Sequence, residues 1–255
     1  MKKTKKNKST KSKGLLFRFV SSIFRRKFKK YNIIGLENIP KDASLIIGNH
    51  AQMYGPLLSE IKFPYPRYTW CIGNVLKLKD APSYILDDFW PNRKKGTTWF
   101  YKIVSYIISP VCVYTFTNAD VIGVYKDTRI ISTFKNTVQA LKDNHHIIIF
   151  PEQHQDYNHI INEFQDKFID VAKLYYKETG KELSFVPMYN APKIKTVIYG
   201  KPIKFNSQIP IEEQRITICN YLKNEITQLA EGLPLHTVIP YANVKKKYYP
   251  KNKKD

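Results

Sequence analysis

His50 has the setting of a proton-transfer group. It follows Ser44-Leu45-Ile46-Ile47, a run that reads as a buried strand ending in Gly48, so its imidazole should stand at a strand-to-helix junction. Such junctions collect catalytic groups in α/β folds, and histidine is the side chain that changes charge nearest neutral pH. A second apolar run, Ile147-Ile148-Ile149-Phe150, ends in Pro151-Glu152-Gln153-His154 and offers a carboxylate and another imidazole. A third, Ser184-Phe185-Val186, ends in Pro187-Met188-Tyr189. Three apolar strands therefore end in polar or proline-marked loops.

The elements that must position these groups alternate between strand and helix. Ser132 or Thr133 can cap a helix to Lys142, with Phe134, Val138 and Leu141 on one face. Residues 162–178 place Phe164, Phe168, Val171, Ala172 and Tyr175 at helical spacing before Gly180. Residues 211–231 predict a last helix after strands around Val186 and Val197. This alternation predicts an α/β three-layer sandwich, a mixed, mostly parallel sheet flanked by helices. At 255 residues and 43% hydrophobic, the chain is long enough for one sizeable core.

Taken in order, Asn49-His50, Val124-Tyr125-Lys126, Phe150-Pro151-Glu152 and Val186-Pro187-Met188 resemble the four sequence blocks of the glycerolipid and lysophospholipid acyltransferase superfamily, the PlsC-like family. The run Ile198-Tyr199-Gly200-Lys201-Pro202-Ile203 is similar to the family's usual sequel, and the resemblance spans about residues 31–205. Three positions depart from the pattern. The aspartate five residues after the histidine is Gly55, the arginine of the second block is Lys126, and FPEGTRS has become Phe150-Pro151-Glu152-Gln153-His154-Gln155-Asp156.

The resemblance implies transfer of a fatty acyl group from a thioester donor, acyl-CoA or acyl carrier protein, to a lipid hydroxyl, with no bound cofactor and no metal. A hydroxyl is a poor nucleophile near neutral pH, so a positioned imidazole must take its proton, and the resemblance gives that role to His50. It further implies that Glu152 and Lys126 shape the acceptor site, with Asn49 and His154 as neighbouring polar contacts. Lys126 lacks the planar fork with which arginine grips phosphate, so beside a lysophospholipid or glycerolipid the acceptor can be a glycolipid, a neutral lysolipid or another hydroxyl. Gly55 cannot orient an imidazole. A backbone carbonyl, or a carboxylate such as Asp87, Asp88 or Asp120, would have to do so. The alternative is a catalytically inactive relative that keeps the fold as a lipid-binding or scaffold module.

The remaining histidines are read as structural or as pocket polarity, since His154 and His159 lack the spacing of a helical zinc pair. Cys71, Cys112 and Cys219 have no metal-ligand spacing and are expected to be buried thiols on a reducing, cytosolic side. The formal net charge is +21, of which residues 1–30 and 245–255 carry 18. The core is nearly neutral, which argues against a nucleic-acid-binding face and for an anionic membrane surface as the partner.

Residues 1–30 are expected to form a basic tail and an interfacial amphipathic helix, 31–244 the acyltransferase-like domain, and 245–255 a basic C-terminal tail. In the helix, Leu16, Phe19, Val20, Ile23, Phe24 and Phe28 face one way and Arg18, Arg25 and Lys29 the other. The same helix could pack on its own core. Residues 103–116 form the longest apolar stretch, short of the roughly 20 residues a spanning helix needs. With Trp90, Trp99, Phe100, Tyr101 and Tyr106 nearby, this stretch suits either a headgroup-level contact or an aromatic core. The expected location is the cytoplasmic face of a membrane, peripheral or monotopic.

Overall fold

The computed structural model describes residues 14–153 and 159–253. The basic segment 1–13, the side chain of Leu16, and His154 lie outside the described residues. The elements run α1 (Leu15–Lys27), β1 (Asn32–Ile34), β2 (Leu45–Gly48), α2 (Tyr54–Lys62), β3 (Arg67–Ile72), α3 (Ala81–Phe89), α4 (Thr98–Asn118) and β4 (Val121–Val124). They continue α5 (Ile130–Lys142), β5 (His146–Ile149), α6 (Asp170–Thr179), β6 (Ser184–Ala191), β7 (Thr196–Tyr199), β8 (Ile203–Lys204) and α7 (Ile211–Gly232).

The eight strands form one sheet in the order β1-β7-β6-β2-β5-β3-β4, with β8 also paired to β6. From β6 to β4 every pairing is parallel, while β7 and β8 run antiparallel to β6. The sheet is thus mixed and mostly parallel, with helices on both faces, as the alternation predicts.

Strand residues alternate between two cores, as a period of two requires. Leu45, Ile47, Ile147, Ile149 and Phe185 pack with Val138, Val171 and Leu222 from α5, α6 and α7. Ile46, Ile148, Val186 and Met188 pack on the other face with Phe28, Leu58 and Phe63. Leu45, Ile46 and Ile47 are all fully buried, each contributing about 2 kcal/mol of burial, so the strand that delivers His50 is fixed from both sides.

The order of connections locates the functional edge. From β2 the chain passes through α2 to β3, stepping over β5; from β5 it passes through α6 to β6, stepping back over β2. Neighbouring strands β2 and β5 therefore send their chains in opposite directions, and the crevice this opens at their carboxyl ends is where open α/β sheets bind ligands.

Three elements differ from the sequence expectation. The helix expected from residue 162 begins as a helical α6 only at Asp170, because Phe164 pairs as a β-bridge with Glu152 and the Asn162 N–H donates to that carboxylate. The apolar stretch 103–116 extends into the 21-residue α4, and over residues 95–118 it is long and apolar enough to cross a membrane by length and composition. Among the three free thiols only Cys219 is buried; Cys71 and Cys112 are half-buried.

Helix α1 packs one side on the core and exposes apolar residues on the other. Phe17 and Phe28 are buried, while Leu15, Phe19 and Ile23, each four residues apart, are 82%, 65% and 51% exposed. Helix α4 likewise exposes Trp99, Ile103, Tyr106, Ile107 and Val111 along one side. The two helices touch, with the Gly14 N–H directed at Asn118 Oδ1 at 3.5 Å.

Candidate active site

The tips of β2 and β5 bring His50 and Glu152 together. Glu152 is buried, and its Oε1 accepts the backbone N–H of His50 at 2.6 Å while Oε2 accepts that of Asn162 at 3.1 Å. Both carboxylate oxygens are thus turned to backbone donors, tying the loops after β2 and β5 into one unit. Burial pushes the Glu152 carboxyl up to about 7, against the opposing pull of the two N–H groups.

The His50 ring is oriented by the turn that follows it. Its Nδ1 lies against the carbonyl oxygen of Gln52, so Nδ1–H donates and Nε2 is the lone-pair nitrogen. Among the described residues Nε2 has no hydrogen-bond partner. The turn depends on two non-glycine residues in the left-handed region, Ala51 at φ 46° and Gln52 at φ 53°, which aim the Gln52 carbonyl back at the ring. The Gln52 side chain is held in turn, its Nε2 donating to Tyr249 Oη at 2.8 Å. Phe150 meets the imidazole edge-on at 5.5 Å and Tyr241 lies across it at 4.6 Å. This enclosure strips water from the ring and lowers its pKa from 6.5 to about 4, the Gln52 carbonyl acting in the other direction. At neutral pH the imidazole is neutral, the form that can accept a proton.

Position 55 has no room for the aspartate that the block pattern would put there. A Cβ on Gly55 would stand 2.6 Å from the His50 carbonyl oxygen, 2.9 Å from that of Asn49 and 2.8 Å from the Phe150 ring. Of the carboxylates considered as substitutes, Asp87 pairs with Arg93 at 2.8 Å, Asp120 lies 3.8 Å from Arg67, and Asp88 bonds Tyr84. The orienting group is the backbone carbonyl.

The other expected site residues are placed differently. The Asn49 side chain is spent on the sheet: its Oδ1 accepts from Asn190 N at 2.6 Å, its Nδ2 donates to Asn190 O at 3.1 Å, and Asn190 Nδ2 returns a bond to Asn49 O at 3.0 Å. This reciprocal pair locks the ends of β2 and β6. Lys126 is exposed beyond β4, three strands from β2, which is roughly 14 Å along the same edge. Gln52, Phe150, Asn162, Asn190, Tyr241 and Tyr249 complete the site. Of these, only Gln52 and Phe150 stand in the sequence blocks; Tyr241 and Tyr249 carry no local signal.

No family model matches the chain, and no curated protein matches it in sequence. Among solved structures, it is similar to the 1-acyl-sn-glycerophosphate (LPA) acyltransferase PlsC from Thermotoga maritima, at 14% identity and a TM-score of 0.48 over 84% of this chain and 79% of that one.

Proposed function

We propose that this chain is a membrane-associated acyltransferase that moves a fatty acyl group from acyl-CoA or acyl carrier protein to a lysophospholipid or glycerolipid hydroxyl. The observation that carries the reading is His50 at the sheet's reversal point, neutral, with Nδ1–H held by the Gln52 carbonyl and Nε2 without a partner among the described residues. The ordered blocks around His50, Lys126, Glu152 and Pro187 supply the reaction class.

In this reading the acceptor hydroxyl gives its proton to His50 Nε2 as its oxygen attacks the thioester carbonyl. The tetrahedral adduct then collapses, the carbon–sulfur bond breaks, and the proton passes from the imidazolium to the departing thiolate. The Gln52 carbonyl holds the tautomer and offsets part of the charge on the imidazolium, as a carboxylate does more strongly in hydrolase triads. Glu152 is a positioning residue, fixing the backbone from which the imidazole projects. Lys126, far along the edge, suits an anionic group remote from the reacting hydroxyl. His154, two residues beyond Glu152, keeps its place as a candidate acceptor contact.

The outward stripes of α1 and α4 support attachment to a lipid surface, with Arg18, Arg25, Lys94, Lys95 and Lys102 nearby in sequence to meet anionic headgroups. The reading places this contact on the cytoplasmic face, without a nucleic-acid partner. One observation favours the rival, an inactive lipid-binding or scaffold protein: among the described residues no carboxylate bonds a ring nitrogen of His50, Glu152 being turned to its backbone N–H, and Gly55 is closed to one. Purified protein incubated with acyl-thioester donors and a panel of lysolipids decides between them. Turnover that disappears in His50→Ala supports the enzyme, and wild-type turnover no higher than His50→Ala on every acceptor supports the rival.

A further inference from the structure

The segment after α7 does not trail away as a basic tail. Residues 233–253 fold back over the carboxyl edge of the sheet. Asn252, fully buried, staples the two ends of this segment: its Nδ2 donates to the carbonyl of Ala230 at 2.7 Å, its Oδ1 accepts from His236 N at 2.7 Å, and its own N–H donates to the His236 carbonyl at 3.1 Å. A β-bridge joins Thr237 to Lys251, and Val238 N donates to the Pro250 carbonyl at 2.9 Å. His236 Nδ1 faces the Pro234 carbonyl at 2.8 Å, which leaves Nε2 to accept the Tyr189 hydroxyl at 2.9 Å and fastens the segment to β6.

This closed loop delivers two side chains to the catalytic turn. Tyr241 lies across the His50 ring, and Tyr249 Oη accepts the Gln52 side-chain amide at 2.8 Å. Among the described residues the Gln52 carbonyl is the one group on His50 Nδ1, and Gln52 stands in an uncommon backbone region that nothing in its residue type favours. The turn itself is closed by Tyr54 N–H on the Ala51 carbonyl at 3.1 Å and Gly55 N–H on the His50 carbonyl at 3.0 Å, and the Gln52 side chain adds an anchor from outside it.

We propose that Tyr249, carried by the strap of residues 233–253, is a positioning residue for His50. By fixing Gln52, it does through a backbone carbonyl what a carboxylate at position 55 would do directly. The proposal rests on the assignment of His50 as general base, but the state of the ring can be read without turnover.

The test uses full-length protein and a two-residue cycle, Tyr249→Phe, Gln52→Ala and the double variant. Phe keeps the ring of Tyr249 and removes the acceptor; Ala keeps the Gln52 carbonyl and removes the donor. Nitrogen-15 spectra of the His50 ring should show the Nδ1–H tautomer in the wild type and a mixture of tautomers in both single variants. The kcat should fall about ten- to a hundredfold in each with KM little changed, since a displaced base slows the reaction without weakening binding. The double variant should lose no more than either single one, because all three remove the same bond. Wild-type tautomer populations in both single variants would overturn the proposal, as would losses that multiply in the double variant. If the tautomer shifts as expected but the wild type has no acyltransferase turnover, the positioning device stands and the enzymatic reading fails.

Discussion

Putting a side chain at position 55 should harm this protein even though Gly55 lies within a helix. Helix propensity alone favours alanine over glycine by up to about 1 kcal/mol, so Gly55→Ala at an open helical site would stabilise. Here the new Cβ would meet the carbonyl oxygens of His50 and Asn49 at 2.6 and 2.9 Å and the Phe150 ring at 2.8 Å. Real Cβ contacts do not approach so closely, and two of the three obstacles are backbone, one of them the residue that carries the imidazole. Overpacking of this kind costs about 1–3 kcal/mol. The net expectation is a loss of about 1–2 kcal/mol for Gly55→Ala, or roughly 2–8 °C in Tm for a chain of this size. Gly55→Asp should lose more, adding a carboxylate to a closed space, and should not raise turnover despite restoring the expected residue type. Urea titration and thermal melts of the two variants against wild type measure this. A Gly55→Ala protein as stable as wild type or more so, or a Gly55→Asp protein with higher turnover, would refute the packing argument.

Glu152→Gln can satisfy only one of the two backbone donors that Glu152 now accepts from His50 and Asn162. The variant should lose about 1–3 kcal/mol in urea titrations, and an unaltered stability would contradict its place in the site. Burial also lowers His146 to about 4, alongside His50. Both histidines take up protons on unfolding, so their contribution to stability is present above about pH 6.5 and lost as pH falls toward 4; Glu152, raised from 4.5 to about 7, acts oppositely, its contribution being lost as pH rises through that range. Replacing His146 with Gln should therefore reduce the slope of unfolding free energy against pH between 4 and 6.5 by up to about 1.4 kcal/mol per pH unit, and an unchanged slope would show that His146 is not held neutral. On α4, changing exposed Ile103 and Ile107 to Ser should leave the fold within about 0.5 kcal/mol while weakening flotation with anionic vesicles. Removal of residues 1–13 tests the basic segment without touching the packed Phe17 and Phe28, and full vesicle binding by the combined variant would refute the proposed membrane face.

The sheet was legible where composition forces burial. Residues 45–47, 147–150 and 185–186 are apolar throughout, and such runs between polar loops have little alternative to a covered parallel strand. Strand order is not legible in the sequence, because no local pattern records which strand lies beside which; Lys126, expected with Glu152 at the acceptor site, stands beyond β4, two strands from β5 and three from β2. The block resemblance implied an acceptor-site role for Glu152, whereas its bond to the His50 backbone N–H had no sequence signal. What orients His50 did not, since positive φ is normally signalled by Gly or Asn and here falls on Ala51 and Gln52. Tyr249 lies 197 residues from Gln52 within a lysine-rich stretch, and composition alone reads that stretch as solvated tail.

The central claim is that a neutral His50, held by a carbonyl, accepts the proton from the attacking hydroxyl. Single-turnover acyl transfer measured against pH tests it most directly. With the ring enclosed by Phe150 and Tyr241 and its pKa lowered to about 4, the rate should stay level from pH 8 down to about 5, fall only below that, and be lost in His50→Ala. An acid limb centred between pH 6 and 7, or one that persists unchanged in His50→Ala, would contradict the account.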